Sequence, residues 1–214
     1  MPSLPDNLAS VRTRIEAACR RAGRDPASVT LVAVTKTVGL DQVRELQALG
    51  VTDFGENRVQ DGLPKARALP QARWHFIGSL QRNKVRKALS AFQVVHSVDS
   101  AELAAQIAQV AAETGWTGEV LIEVNVAGEE QKGGVPLEAA EGLIRSLKGL
   151  RVTGLMTMAP LDADPEQARP VFRKLRELRD RLGLEHLSMG MSQDFEVAIE
   201  EGATLVRVGT ALFR

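Results

Sequence analysis

Lys36 follows the run Val29-Thr30-Leu31-Val32-Ala33-Val34 with only Thr35 between. A short, β-branched run of this kind is the pattern of a buried strand. A lysine delivered by the end of such a strand into an apolar surround loses part of its preference for the charged state. A neutral amine attacks an aldehyde to form an imine. A solvated lysine at a loop edge fits the same position, so position alone leaves both readings open. Near the C-terminus, Ser188-Met189-Gly190-Met191-Ser192 and Arg207-Val208-Gly209-Thr210 carry a different chemistry. Their glycines allow close backbone approach, Ser192 and Thr210 add hydroxyl donors, and each segment leads into a helix start with free amides. Those are the requirements of a phosphate cradle. Ser192 as a plain helix cap is compatible with that use.

The elements that carry these residues alternate regularly. Leu8, Val11, Ile15, Ala18, Cys19 and Ala22 fall at helical spacing and predict a leading helix that stops at Gly23. Strands are then predicted at 29–34, 51–54, 74–77, 92–96, 119–126, 151–156, 185–188 and 205–208. Helices are predicted between them: to Gly50, to about Leu69 past Gly62 and Pro64, at 84–89, 101–113, 137–147, 167–182 and 195–201. Eight strands alternating with helices imply a parallel sheet with crossover helices. At 214 residues this is the short end for a closed (β/α)₈ TIM barrel, here a single domain over 1–214. An open doubly wound sheet is disfavoured, because its Gly-rich dinucleotide turn is replaced by Thr35-Lys36-Thr37.

Barrel chemistry sits at the C-terminal ends of the strands, and the polar residues gather there. Lys36 follows the first strand and Glu56 and Asn57 the second. Ser79, Gln81 and Asn83 follow the third, Ser97 and Asp99 the fourth, and Asn125 lies near the end of the fifth. Met156-Thr157-Met158 follows the sixth, and the two segments with the cradle pattern follow the seventh and eighth.

Composition narrows the function classes. Lys and Arg total 27 and Asp and Glu total 27, so the balance lacks the basic excess of a nucleic-acid binder. Cys19 is the only cysteine, which excludes an internal disulfide and fits a reducing compartment. No secretory pattern opens the sequence and no apolar stretch approaches a membrane span, so a cytoplasmic location is expected. The even charge marks out no interface, and a monomer is expected. There is no tyrosine.

The chain resembles the YggS/PROSC family of pyridoxal phosphate homeostasis proteins over nearly its whole length. The similarity is carried by Leu31-Val32-Ala33-Val34-Thr35-Lys36-Thr37, by Phe54-Gly55-Glu56-Asn57-Arg58-Val59-Gln60, and by Trp74-His75-Phe76-Ile77-Gly78-Ser79-Leu80-Gln81-Arg82-Asn83-Lys84. It continues through His96-Ser97-Val98-Asp99, Gly154-Leu155-Met156-Thr157-Met158, Leu187-Ser188-Met189-Gly190-Met191-Ser192-Gln193-Asp194 and Val206-Arg207-Val208-Gly209-Thr210. The resemblance implies a fold-type III barrel like the N-terminal domain of bacterial alanine racemase, with pyridoxal 5'-phosphate (PLP) as a Schiff base on Lys36. Ser192, Gly209 and Thr210 would contact the phosphate. Arg207 would face the pyridine nitrogen, where a cation disfavours ring protonation and weakens the cofactor as an electron sink. A buried ion pair of Arg207 with Glu200 or Asp194 is the structural alternative. Asn57, His75, Ile77 and Met156 would line the pocket, although core packing accounts equally for Ile77 and Met156, and a satisfied core histidine for His75. Lys132 matches a family loop and is either a ligand contact at the mouth or a solvated charge. The family pattern departs at the end: Arg214 stands after Phe213 where the family has glycine, and the last helix is expected to be nearly absent.

Two functions follow from the resemblance. One is a PLP carrier or regulator without turnover, whose partners are PLP-dependent apo-enzymes. The other is an amino-acid racemase. Two-base racemisation needs an acid or base on each face of the substrate carbon, and racemases similar to this barrel take the second from a tyrosine on another domain. No tyrosine is present, and His75 and His96 are the remaining candidates, so the carrier is favoured. A sugar-phosphate enzyme on the same fold would bind without an imine.

Overall fold

A computed structural model describes residues 3–129, 131, 133–160 and 164–214. Lys132 lies outside the described residues. Eight parallel strands close into a ring: β1 (Thr30–Val34), β2 (Asp53–Glu56), β3 (Arg73–Phe76), β4 (Val94–Val98), β5 (Glu119–Asn125), β7 (Arg151–Met156), β8 (His186–Ser188) and β9 (Leu205–Val208). β1 pairs with β2 (Val32 opposite Asp53) and with β9 (Val32 opposite Arg207), which shuts the barrel. The two-residue β6 (Val135–Pro136) pairs with the end of β5 outside the ring, an element the sequence pattern did not predict.

Around the ring run α2 (Leu40–Ala48), α3 (Val59–Ala68), α4 (Val85–Leu89), α5 (Ala101–Thr114), α6 (Leu137–Ser146), α7 (Arg169–Leu182) and α8 (Phe195–Glu200), with α9 (Thr210–Phe213) a single turn. The thin last helix leaves no gap. The leading helix α1 (Leu4–Arg21) packs there, its Arg14 bonded to Glu196 at 3.0 Å, its Arg21 to Glu200 at 2.6 Å, and Asn7 Nδ2 to the Leu212 carbonyl at 3.0 Å. α1 starts on a capping box in which Ser3 and Asp6 satisfy each other's amides, and its buried stripe is Leu8, Val11, Ile15, Ala18 and Cys19.

Strand periodicity divides the side chains into two sets. Phe54, Trp74, Phe76, Val95, Ile122, Leu155 and Val206 point outward into the main core beneath the helices. Inside the ring, Val32, Val94, Leu121, Met156 and Leu205 form a small apolar cluster. The inner set also contains Asp53, His75, His96, Ser188 and Arg207, all buried. β2 and β4 each begin two residues later than the apolar runs predict. Val51 and Phe92 are buried in the outer core before their strands start, so their apolar character reports burial in a turn.

Candidate functional site

β1 and β9 are hydrogen-bonded neighbours, so the loops bearing Lys36 and Gly209-Thr210 leave the barrel side by side. Val34 is the last buried apolar residue on the inner face of β1. Thr35 is enclosed and Lys36 is exposed, so the apolar surround expected for this lysine ends one turn too early. The turn is pinned from outside the ring. Lys65 Nζ of α3 donates to the Thr35 carbonyl at 2.7 Å and to Glu56 Oε1 at 2.6 Å, while Thr35 Oγ1 donates to the same oxygen at 2.7 Å. Glu56 therefore belongs to the barrel–helix layer and not, as its place after a predicted strand suggested, to the mouth.

Ser192 Oγ accepts from the backbone N–H of Gly209 at 3.3 Å and of Ala211 at 3.1 Å. Its hydroxyl thus caps the start of α9 across the chain, and not the helix that follows it. α8 begins differently, with Asp194 Oδ1 accepting from the Met191 N–H at 2.6 Å. The result is a convergent set of amides and a hydroxyl, with the exposed Thr210 beside it. Gly190 makes the set possible. Its φ of +92° is a left-handed conformation, and a Cβ there would lie 2.6 Å from Ala198 Cβ and 2.8 Å from Phe195 Cα.

Arg207 is enclosed within the ring. Nη1 donates to Ser188 Oγ at 2.6 Å and Nη2 to the Thr157 carbonyl at 3.0 Å. No ion pair is formed by Arg207 among the described residues; Glu200, one of its expected partners, is bound to Arg21 and Arg169. Burial pushes the Arg207 pKa down to about 10, opposed by the more distant Asp194 and Glu123, so the guanidinium is charged at neutral pH. Glu123 faces the opposite pressure: burial and neighbouring Asp99 raise its pKa, while Arg207 lowers it.

From Ser188 a line of hydrogen bonds crosses the barrel. Ser188 Oγ lies 2.8 Å from His96 Nδ1, His96 Nε2 lies 2.8 Å from His75 Nδ1, and His75 Nε2 lies 2.9 Å from Asp53 Oδ1. Both imidazoles are wholly buried, and burial is the main reason that both pKa values fall, His96 well below the ordinary value. His75 was expected at the pocket wall and His96 was a candidate second base. Both have each ring nitrogen engaged inside the ring.

The remaining expected residues divide. Asn57 and Ile77 are half-buried on the loops after β2 and β3. Gly78 lets these loops touch, since a side chain there would strike the Asn57 carbonyl 2.2 Å away. Met156 is packed in the inner apolar cluster. Ser79, Gln81 and Asn83 are exposed, and Ser97 is buried within β4. Asp53 and Lys65 were not singled out by their local sequence. Strict alternation within β2, β3 and β9 is the signal that places Asp53, His75 and Arg207 on one inner surface.

Comparisons with known proteins match this chain to a family. The family model described as alanine racemase, N-terminal domain, matches residues 7–214. A protein of Aquifex aeolicus named pyridoxal phosphate homeostasis protein is 48% identical, over 97% of this chain and 96% of its own. The structure of PipY from Synechococcus elongatus with PLP bound is 35% identical, with a TM-score of 0.84 over 99% of this chain and 100% of that one. An alanine racemase of Clostridium difficile shares the fold at 14% identity and a TM-score of 0.77, with 56% of its chain covered.

Proposed function

The chain belongs to the pyridoxal phosphate homeostasis proteins built on the alanine racemase N-terminal fold, and from that premise we propose that it binds PLP on Lys36 and serves intracellular PLP homeostasis without catalytic turnover. The observation that carries the reading is the adjacency of the Lys36 loop and the Ser192–Gly209–Ala211 set at one end of the barrel, with the fixed Arg207 cation on β9, the strand that leads into Gly209. PLP supplies an aldehyde for an amine, a ring nitrogen, and a phosphate dianion. The chain offers a partner for each. Lys36 supplies the amine as a Schiff base. Ser192, Thr210 and the Gly209 amide would hold the phosphate. Arg207 would face the ring nitrogen and disfavour its protonation. Asn57 and Ile77 form the wall, while Met156 and His75 support the site from inside the ring.

The same arrangement argues against turnover. A guanidinium opposite the ring nitrogen weakens the electron sink that carbanion chemistry requires. The second base that tyrosine supplies in a racemase has no counterpart here: the chain has no tyrosine, and the two inner histidines are committed to each other, Ser188 and Asp53. The recipients in this reading are PLP-dependent apo-enzymes, the chain acts as a cytoplasmic monomer, and no described helix is long and apolar enough to cross a membrane.

The test mixes holo-protein with a PLP-dependent apo-enzyme and, in parallel, assays racemisation and decarboxylation of amino acids. Restored apo-enzyme activity with both assays at the level of free PLP is the expected result. Racemisation well above free PLP that disappears in Lys36→Ala would overturn the carrier in favour of the enzyme.

A further inference from the structure

We propose that His96 and His75 are positioning residues for Arg207, acting through Ser188 in one hydrogen-bond chain whose donors all point from Arg207 toward Asp53. The proposal rests on the reading that Arg207 faces the cofactor ring, and asks what holds it there. The direction follows from valence. A carboxylate only accepts, so His75 Nε2 carries the proton shared with Asp53. A neutral His75 then presents Nδ1 as an acceptor, so His96 donates from Nε2. A neutral His96 in turn accepts at Nδ1, so the Ser188 hydroxyl donates to it and is left to accept from Arg207 Nη1. The rival patterns need either an imidazolium at one ring, and both rings are entirely enclosed, or a protonated Asp53, whose carboxylate is held charged by the hydrogen bonds from His75 and Thr52.

Each end of the chain is anchored. Thr52 Oγ1 donates to Asp53 Oδ2 at 2.7 Å, and the Thr157 carbonyl takes Arg207 Nη2 at 3.0 Å. The titratable and charged groups around His75 are Asp53 on β2, Arg73 on β3 and Glu119 on β5; around His96 they are His75 and Arg73 on β3, Arg207 on β9 and His186 on β8. A one-way chain between a cation and an anion polarises every member in the same sense. It also fixes the guanidinium plane, because turning Arg207 breaks the bond to Ser188 and leaves a buried donor unmet. The four contacts draw on β2, β3, β4, β8 and β9, so the cation is referenced to the ring as a whole and not to its own strand.

The chain holds only three histidines, so nitrogen NMR of histidine-labelled apo-protein assigns each ring by single substitution. Protons on Nε2 of both His75 and His96, unchanged between pH 8 and about 6, are expected. A proton on Nδ1 of either ring, or titration of either above pH 6, would overturn the chain. The functional arm compares His96→Gln, which keeps one donor and one acceptor, with His96→Leu, which keeps neither. Leu should weaken PLP binding about tenfold and alter the pH dependence of the visible band, and Gln should restore both. Where the Leu variant fails to fold, Ser188→Ala cuts the same link with less change in shape and the same expected loss. Wild-type affinity and spectrum in His96→Leu or Ser188→Ala, alongside altered ones in Arg207→Gln, would overturn the positioning role and leave the reading of Arg207 standing. An unaltered spectrum in Arg207→Gln would overturn that reading, and the positioning role with it, whatever the NMR shows.

Discussion

Lys65 donates from Nζ to the carbonyl of Thr35, 2.7 Å away and one residue before Lys36. The same ammonium is the counter-ion of Glu56, whose side chain has no solvent exposure. Removing one partner of such a pair leaves a buried charge uncompensated. Lys65→Met should therefore lower the unfolding free energy by about 3–5 kcal/mol in urea titration, and adding Glu56→Gln should recover at least half of the loss. A single-variant loss below about 1 kcal/mol would mean that the pair behaves as a solvated one.

Lys36 itself contributes little to packing, because it is exposed beyond the last inner residue of β1. Lys36→Ala should stay within about 0.5 kcal/mol of wild-type stability while losing the visible band of the PLP-bound protein. Borohydride reduction followed by peptide mapping checks the attachment. A pyridoxyl group found only on another lysine would remove Lys36 from the site.

The two hydroxyls of the phosphate set should separate. Ser192 caps two amides, so Ser192→Ala should cost about 1 kcal/mol of stability without PLP, and Thr210→Val, at an exposed position, should cost almost nothing. Each should weaken PLP binding by about ten- to a hundredfold and leave pyridoxal, which has no phosphate, nearly unaffected. Equal losses for both ligands would show that these residues support the loop alone.

The inner histidines predict an acid-sensitive fold. Their folded pKa values are depressed, chiefly by burial, whereas the unfolded rings protonate near pH 6.5. Above about pH 6.5 both states carry neutral rings and the contribution is fully present. As pH falls below that, the unfolded chain binds more protons than the folded one, and each ring removes about 1.4 kcal/mol per pH unit until its folded pKa is reached. The urea midpoint should therefore fall between pH 7 and 5, and more steeply for wild type than for His96→Gln. Parallel slopes would exclude a buried neutral His96.

Much of the barrel was legible because strand and helix patterns are local. The strands at Arg151–Met156 and Leu205–Val208 were read to the residue. The mouth was legible because Lys36, Ser192 and Gly209 sit at strand ends marked by abrupt changes from apolar to polar. What lay inside the ring was not. His96 and Ser188 are 92 positions apart and meet only after closure, so no short window shows them as partners. Lys65 was missed for a similar reason: on an amphipathic helix it reads as a solvated charge, and only the approach of Glu56 makes it internal. The displaced starts of β2 and β4 show the converse, with apolar residues that are buried yet lie outside the strands.

The placement of α1 sets an order of events during synthesis. Asn7 bonds to Leu212 across 205 residues, so α1 must wait for a segment made 205 residues after it. At about 5–20 residues per second, that wait is about 10–40 s. Through it the stripe Leu8, Val11, Ile15, Ala18 and Cys19 has neither α8 nor α9 to cover it. Ring closure accordingly waits until β9 has been made and docks on β1, and until then the apolar stripe of α1 is open to a chaperone.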